Sequence, residues 1–140
     1  MFKHIMVPFD LAAKEKLAKA IKVAGDLARR HGSRLTLISV AGGINGMVSH
    51  SVEEYRRLLA AYAAQIEQAE GIDVDSKVYD VPDPSAEVDR TLMEAIDDTG
   101  ADLIVMASHQ PGWVEYLVSS HAGRVAAHAP VSVFVVRNQG

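Results

Sequence analysis

Asp10 directly follows Val7-Pro8-Phe9, at the end of an apolar run. A carboxylate there can accept from a ribose hydroxyl or an adenine amino group, or cap the helix expected to begin near Ala12. The two roles can coexist. A second polar group is Ala107-Ser108-His109-Gln110-Pro111-Gly112-Trp113-Val114-Glu115-Tyr116-Leu117-Val118-Ser119-Ser120. It reads as the end of a strand, a polar turn and a helix start. Backbone N–H groups at a helix start can hold a phosphate, and Ser119 and Ser120 add hydroxyl donors. The same residues also make an ordinary loop with a serine cap.

Other chemistry is less well supplied. His109, His121 and His128 crowd one end of the chain, but no carboxylate is paired with them. A zinc site needs about four convergent ligands. His128 also falls where a last helical turn favours a cation. Ser119, Ser120, His109 and Asp10 provide the residue types of a triad without a Gly-x-Ser-x-Gly elbow. There is no Gly-x4-Gly-Lys loop and no pair of metal carboxylates near the turn. Catalysis is therefore expected to be absent, or at most a slow ATPase. Trp113 and Tyr116 read as packing or partner contacts.

The elements that must position these groups alternate. Runs rich in β-branched residues cover Phe2–Val7, Arg34–Val40, Asp73–Tyr79, Leu103–Ala107 and Val131–Val136. The last two are almost continuously apolar, as buried strands covered on both faces are. Between them apolar residues recur at helical spacing: Leu17 to Ala28, Tyr55 to Ala69, Val88 to Ile96, and more weakly Leu117 to Ala129. Ser51-x-x-Glu54 forms a capping box, Asp83-Pro84 a cap with proline at the first helical position, and Gly32, Gly71 and Gly100 mark helix ends. Ala41–Ser49 is a glycine-rich loop. The order is β-α-β-α-β-α-β-α-β. It predicts an α/β three-layer sandwich: a five-stranded parallel open sheet, Rossmann-like, with four helices on its two faces. Ligands of such sheets bind beyond the carboxyl ends of the strands, where strand order reverses. That places the expected site at Val7–Asp10, Val40–Gly43 and Ala107–Ser120.

Composition fits one domain spanning 1–140. The chain has 140 residues, 49% hydrophobic and 23% charged, with a net charge of −4 and no cysteine. These values exclude a disordered tail, a coiled coil, disulfides and thiolate metal sites. The longest basic runs are Arg29–Arg30 and Arg56–Arg57, so no nucleic-acid partner is expected. No apolar stretch approaches the roughly 18 residues of a membrane span. The opening Met1–Pro8 reads as a strand rather than a signal peptide, which makes the cytoplasm the expected location.

Four blocks carry a resemblance to a known family. They are Ile5-Met6-Val7-Pro8-Phe9-Asp10; Leu35-Thr36-Leu37-Ile38-Ser39-Val40; Ala101-Asp102-Leu103-Ile104-Val105-Met106-Ala107-Ser108-His109; and Val125-x-x-His128-Ala129-Pro130 through Arg137. The chain resembles the universal stress proteins over its whole length. The resemblance implies adenine-nucleotide binding in one branch, and homodimers paired through the last strand, here Val131–Val136. An apolar edge strand is a liability unless covered, and an isologous partner covers it.

Nucleotide-binding members carry Gly-x2-Gly-x9-Gly-(Ser/Thr) after the fourth strand. Here Ala107 and Gln110 stand at the first two glycines. Eight residues separate Gln110 from Ser119 at the third, and Ser120 matches the Ser/Thr. The spacing is similar to a branch with Gly/Ala-Ser-x-x-Pro. The resemblance implies adenine and ribose contacts at Pro8, Phe9, Asp10, Val40, Met106 and Ala107. It implies phosphate contacts at His109, Ser119, Ser120 and His121. The expected ligand is ATP or AMP, with Mg2+ left open and no metal site of the protein's own. The alternative, motivated by the lost glycines, is a dimeric scaffold that binds no nucleotide and acts through an unknown protein partner.

Overall fold

The computed structural model describes residues 1–41, 51–108, 125 and 129–137. Five strands form one parallel sheet: β1 (His4–Pro8), β2 (Arg34–Ala41), β3 (Val74–Asp80), β4 (Leu103–Ala107) and β5 (Ser132–Val136), in the spatial order β3-β2-β1-β4-β5. Three α-helices are described: α1 (Ala18–His31), α2 (Val52–Glu70) and α3 (Pro84–Thr99). The expected fourth helix falls mostly outside the described residues, apart from the helical Val125. The expected loop after Ala41 also lies outside them.

Strand alternation sorts the core into two layers. Ile5, Val7, Leu35, Leu37, Leu103 and Val105 face α1 and α2. Met6, Ile38, Val40, Ile104 and Met106 face α3 and Val125. The central strands β1 and β4 are buried at nearly every position, because helices cover both of their faces. At the start of the sheet the Asp102 carboxylate accepts from the Lys3 N–H at 3.0 Å and the His4 N–H at 3.1 Å, which ties the start of β1 to that of β4.

The helix ends follow local chemistry. Ser51 Oγ accepts from the Glu54 N–H at 3.1 Å, as the capping box predicts. Gly71 ends α2 with φ +71°, a left-handed conformation that costs glycine little. Gly25 serves closeness instead: a Cβ there would lie 3.2 Å from Glu70 Oε1, the carboxylate that pairs with Arg29 and links α1 to α2.

Two helix starts differ from expectation. The chain after Asp10 does not enter α1 near Ala12. It makes a 3-10 turn over Leu11–Ala13, then further turns, and α1 begins at Ala18 without a side-chain cap. Leu11 and Ala13 are buried by that detour, which places two apolar groups in the core before the helix proper. Asp83 occupies the cap position of α3 with Pro84 behind it, but its side chain makes no cap bond. The Glu87 side chain instead accepts from the Asp83 N–H at 3.0 Å.

Candidate functional site

The strand order reverses between β1 and β4, the two strands from which the chain departs to opposite sides of the sheet. Their register pairs Ile5 with Leu103, and β1 pairs His4 with Arg34. Continuing these registers sets Asp10 level with Val40 and Ser108, one residue past Ala107. Phe9 extends the ladder, its N–H donating to Ile38 O at 2.8 Å. Asp10 thus emerges at the carboxyl edge of the reversal point.

A small polar network holds it there. Asp10 Oδ1 accepts from the Ala12 N–H at 2.9 Å, so Asp10 is a cap, but of the 3-10 turn. Tyr55, from the first turns of α2, places its hydroxyl 3.4 Å from the same Oδ1 and 3.3 Å from Ser39 Oγ. The Leu11 N–H donates to that hydroxyl at 3.0 Å. Ser39, 1% exposed in β2, donates to Phe9 O at 2.7 Å. A buried serine in an apolar strand is thereby satisfied, and it binds the end of β1 to β2.

The electrostatics follow from the burial. Burial raises the Asp10 pKa above the ordinary carboxylate value, while the Ala12 N–H and Tyr55 O–H bonds oppose the rise. The Tyr55 hydroxyl is pushed up to about 12, by burial first and by the neighbouring Asp10 charge second. At neutral pH the tyrosine therefore stays a donor.

The other described candidates are placed differently. Pro8, Phe9, Val40, Met106 and Ala107 are all buried. Phe9 stacks on Tyr62 with ring centroids 5.1 Å apart. Val40 and Met106 direct their side chains into the α3 layer. A ligand at this edge meets their main chain, and Asp10 is the one side chain of the described set that is part-exposed. His109, Ser119, Ser120 and His121 lie outside the described residues. Tyr55 and Ser39 escape the sequence reading. Tyr55 sits on the apolar stripe of its helix, and Ser39 looks like one polar letter in a strand. The available signal was Ser39 itself, which sits just before the end of a buried run.

The opposite, amino end of the sheet carries an open cavity of about 530 Å³ lined by His4, Thr36, Asp75, Lys77 and Asp98 among others. His4, Thr36, Asp75 and Asp98 each have a described polar partner. His4 Nε2 lies 2.6 Å from Thr36 Oγ1, Asp98 accepts from the Tyr79 hydroxyl at 2.7 Å, and Asp75 pairs with Arg34. It sits at the wrong end of the strands for the ligand geometry of this sheet class. Among the described residues there is no cluster of three metal-ligating side chains, and no helix is long and apolar enough to cross a membrane.

Fold and strand order together define a Rossmann-like α/β domain with a parallel sheet, and comparison with known proteins makes the class specific. The model of the universal stress protein family matches residues 1–137, and the chain belongs to that family. It is 27% identical over 126 residues to the universal stress protein A homolog of Haemophilus influenzae, covering 86% of each chain. Its fold matches a universal stress protein solved in complex with cAMP, with a TM-score of 0.69, 16% identity and coverage of 99% of both chains. It also matches the Archaeoglobus fulgidus universal stress protein solved in complex with dAMP, with a TM-score of 0.66, 16% identity and coverage of 96% of this chain and 97% of that one.

Proposed function

We propose that this protein is a cytoplasmic, dimeric stress-response module that binds an adenine nucleotide, AMP or ATP, and does not depend on catalysis. The observation that carries the reading is Asp10: a part-exposed carboxylate at the strand-order reversal, held on one oxygen by Ala12 and Tyr55. A nucleotide offers such a group its ribose hydroxyls or its amino N–H donors. Two structural relatives with adenine nucleotides bound support the ligand class. Ala107 at a family glycine position does not count against the reading. Its methyl is 3% exposed and belongs to the α1-facing core, so it takes no room from a ligand.

The dimer reading rests on β5. It is an edge strand with no charged residue, and it exposes Phe134 by 44%. Pairing with a second copy would cover it.

Calorimetric titration of AMP into the full-length protein tests the nucleotide reading. Wild type is expected to bind, and Asp10→Ala to bind about 10- to 100-fold more weakly, the loss of a charged hydrogen-bond partner. No heat up to millimolar AMP with wild type would leave the scaffold alternative, in which partner contact alone carries the function.

A further inference from the structure

We propose that Tyr55 is a positioning residue of the site: its hydroxyl fixes the plane in which the Asp10 carboxylate presents its second oxygen to a ligand. The inference rests on the nucleotide reading above and adds to it a residue from α2. Both described bonds to Asp10, from the Ala12 N–H at 2.9 Å and the Tyr55 O–H at 3.4 Å, end on Oδ1. Oδ2 accepts from no described residue, which leaves it for a donor on the ligand. A carboxylate held only by the Ala12 N–H can still swing about its Cβ–Cγ bond and change the plane in which Oδ2 faces a ligand. The second donor removes that freedom.

Tyr55 is itself over-determined. Its oxygen accepts from the Leu11 N–H at 3.0 Å, and its ring is part of the core beneath α2. It has one hydrogen and two acceptors at nearly equal range, Asp10 Oδ1 and Ser39 Oγ. Ser39 has already given its own hydrogen to Phe9 O at 2.7 Å, so it is free to accept. Before a ligand arrives, the charged acceptor is the stronger one and keeps the hydroxyl. A neutral ligand donor on Oδ2 leaves the carboxylate charged, so the hydroxyl keeps to Oδ1 in the complex as well. The hydroxyl therefore holds the part-buried carboxylate in one orientation before and after a ligand arrives. Among the described residues Tyr55 is the one titratable side chain bonded to Asp10. β2 contributes the neutral Ser39, and the turn contributes only the backbone N–H of Ala12.

The test is a double-mutant cycle on the full-length chain with AMP as the probe: wild type, Tyr55→Phe, Asp10→Ala and the double variant. Tyr55→Phe is expected to weaken AMP by about five- to tenfold in the Asp10 background. It should change affinity by less than about twofold in the Asp10→Ala background, because its effect acts through Asp10. An equal loss in both backgrounds, or no loss in a folded Tyr55→Phe protein, overturns the proposal. A ligand-free readout separates this from failure of the nucleotide reading. If wild type binds no AMP, the 13C carboxyl titration of Asp10 decides: a higher midpoint in Tyr55→Phe than in wild type supports the pairing, and an unchanged midpoint overturns it. If Tyr55→Phe does not fold, the Tyr55 Cζ resonance in wild type and Asp10→Ala reads the same contact. A shift supports the contact, and coincident resonances overturn it.

Discussion

Asp10 sits where burial works against its charge. Its pKa is raised first by desolvation, against the pull of the Ala12 and Tyr55 donors. Between the ordinary carboxylate value and the raised one, the folded protein holds more protons than the unfolded chain. Stability contributed at this position therefore falls as pH rises through that window and stays reduced above it. Asparagine keeps an oxygen for Ala12 and Tyr55 and places an N–H2 where Oδ2 accepts no bond from a described residue. Asp10→Asn is accordingly expected to melt higher than wild type at neutral pH, with the gain vanishing below the carboxylate range, and to bind AMP more weakly. Thermal melts across pH check this; a variant that melts lower at neutral pH would contradict the account of Asp10. Asp10 was legible in the sequence because a carboxylate just past an apolar strand sits both where a helix start needs a cap and where ligands of such sheets bind. Its partners were not. Tyr55 and Ser39 lie 16 residues apart in sequence, and Tyr55 reaches Asp10 and Ser39 only because α2 packs over the sheet beside β2.

At the scale of elements, the two sheet edges are built differently. β3 carries Asp75, Lys77 and Asp80, and charged side chains discourage further strand pairing. β5 carries Ser-Val-Phe-Val-Val and no charge. Phe134 pairs in register with the buried Val105 yet remains 44% exposed, and among the described residues no further strand lies beyond β5. Phe134→Lys is expected to shift the protein from dimer to monomer in analytical ultracentrifugation, while its melting stays cooperative. Sedimentation identical to that of a dimeric wild type would remove β5 from the interface. The strands were legible because their apolar runs match burial on both faces. The start of α1 was not. Its stripe from Leu17 is plain, but Asp10 caps a 3-10 turn that buries Leu11 and Ala13 first. Periodicity does not distinguish that detour from a longer helix.

For the molecule as a whole, the alternation of strands and helices specified a parallel sheet with two covered faces, and the order β3-β2-β1-β4-β5 places the reversal at β1 and β4. The proposed nucleotide site gathers at the carboxyl end of those two strands, while the open cavity lies toward the amino end of the sheet. The four sequence blocks that carry the resemblance, from Ile5 to Arg137, lie within the residues 1–137 that the family model matches. The phosphate side of the expected site, from His109 to His121, falls outside the described residues, so the adenine side carries the account. The most direct test follows backbone 1H–15N resonances of the full-length protein during an AMP titration. The account predicts saturable shifts concentrated at Phe9–Ala12, Ser39–Ala41, Tyr55 and Ala107–Ser108, with the amino-end residues His4, Thr36 and Lys77 unmoved. Shifts centred on the amino end, or none anywhere at millimolar AMP, would contradict it.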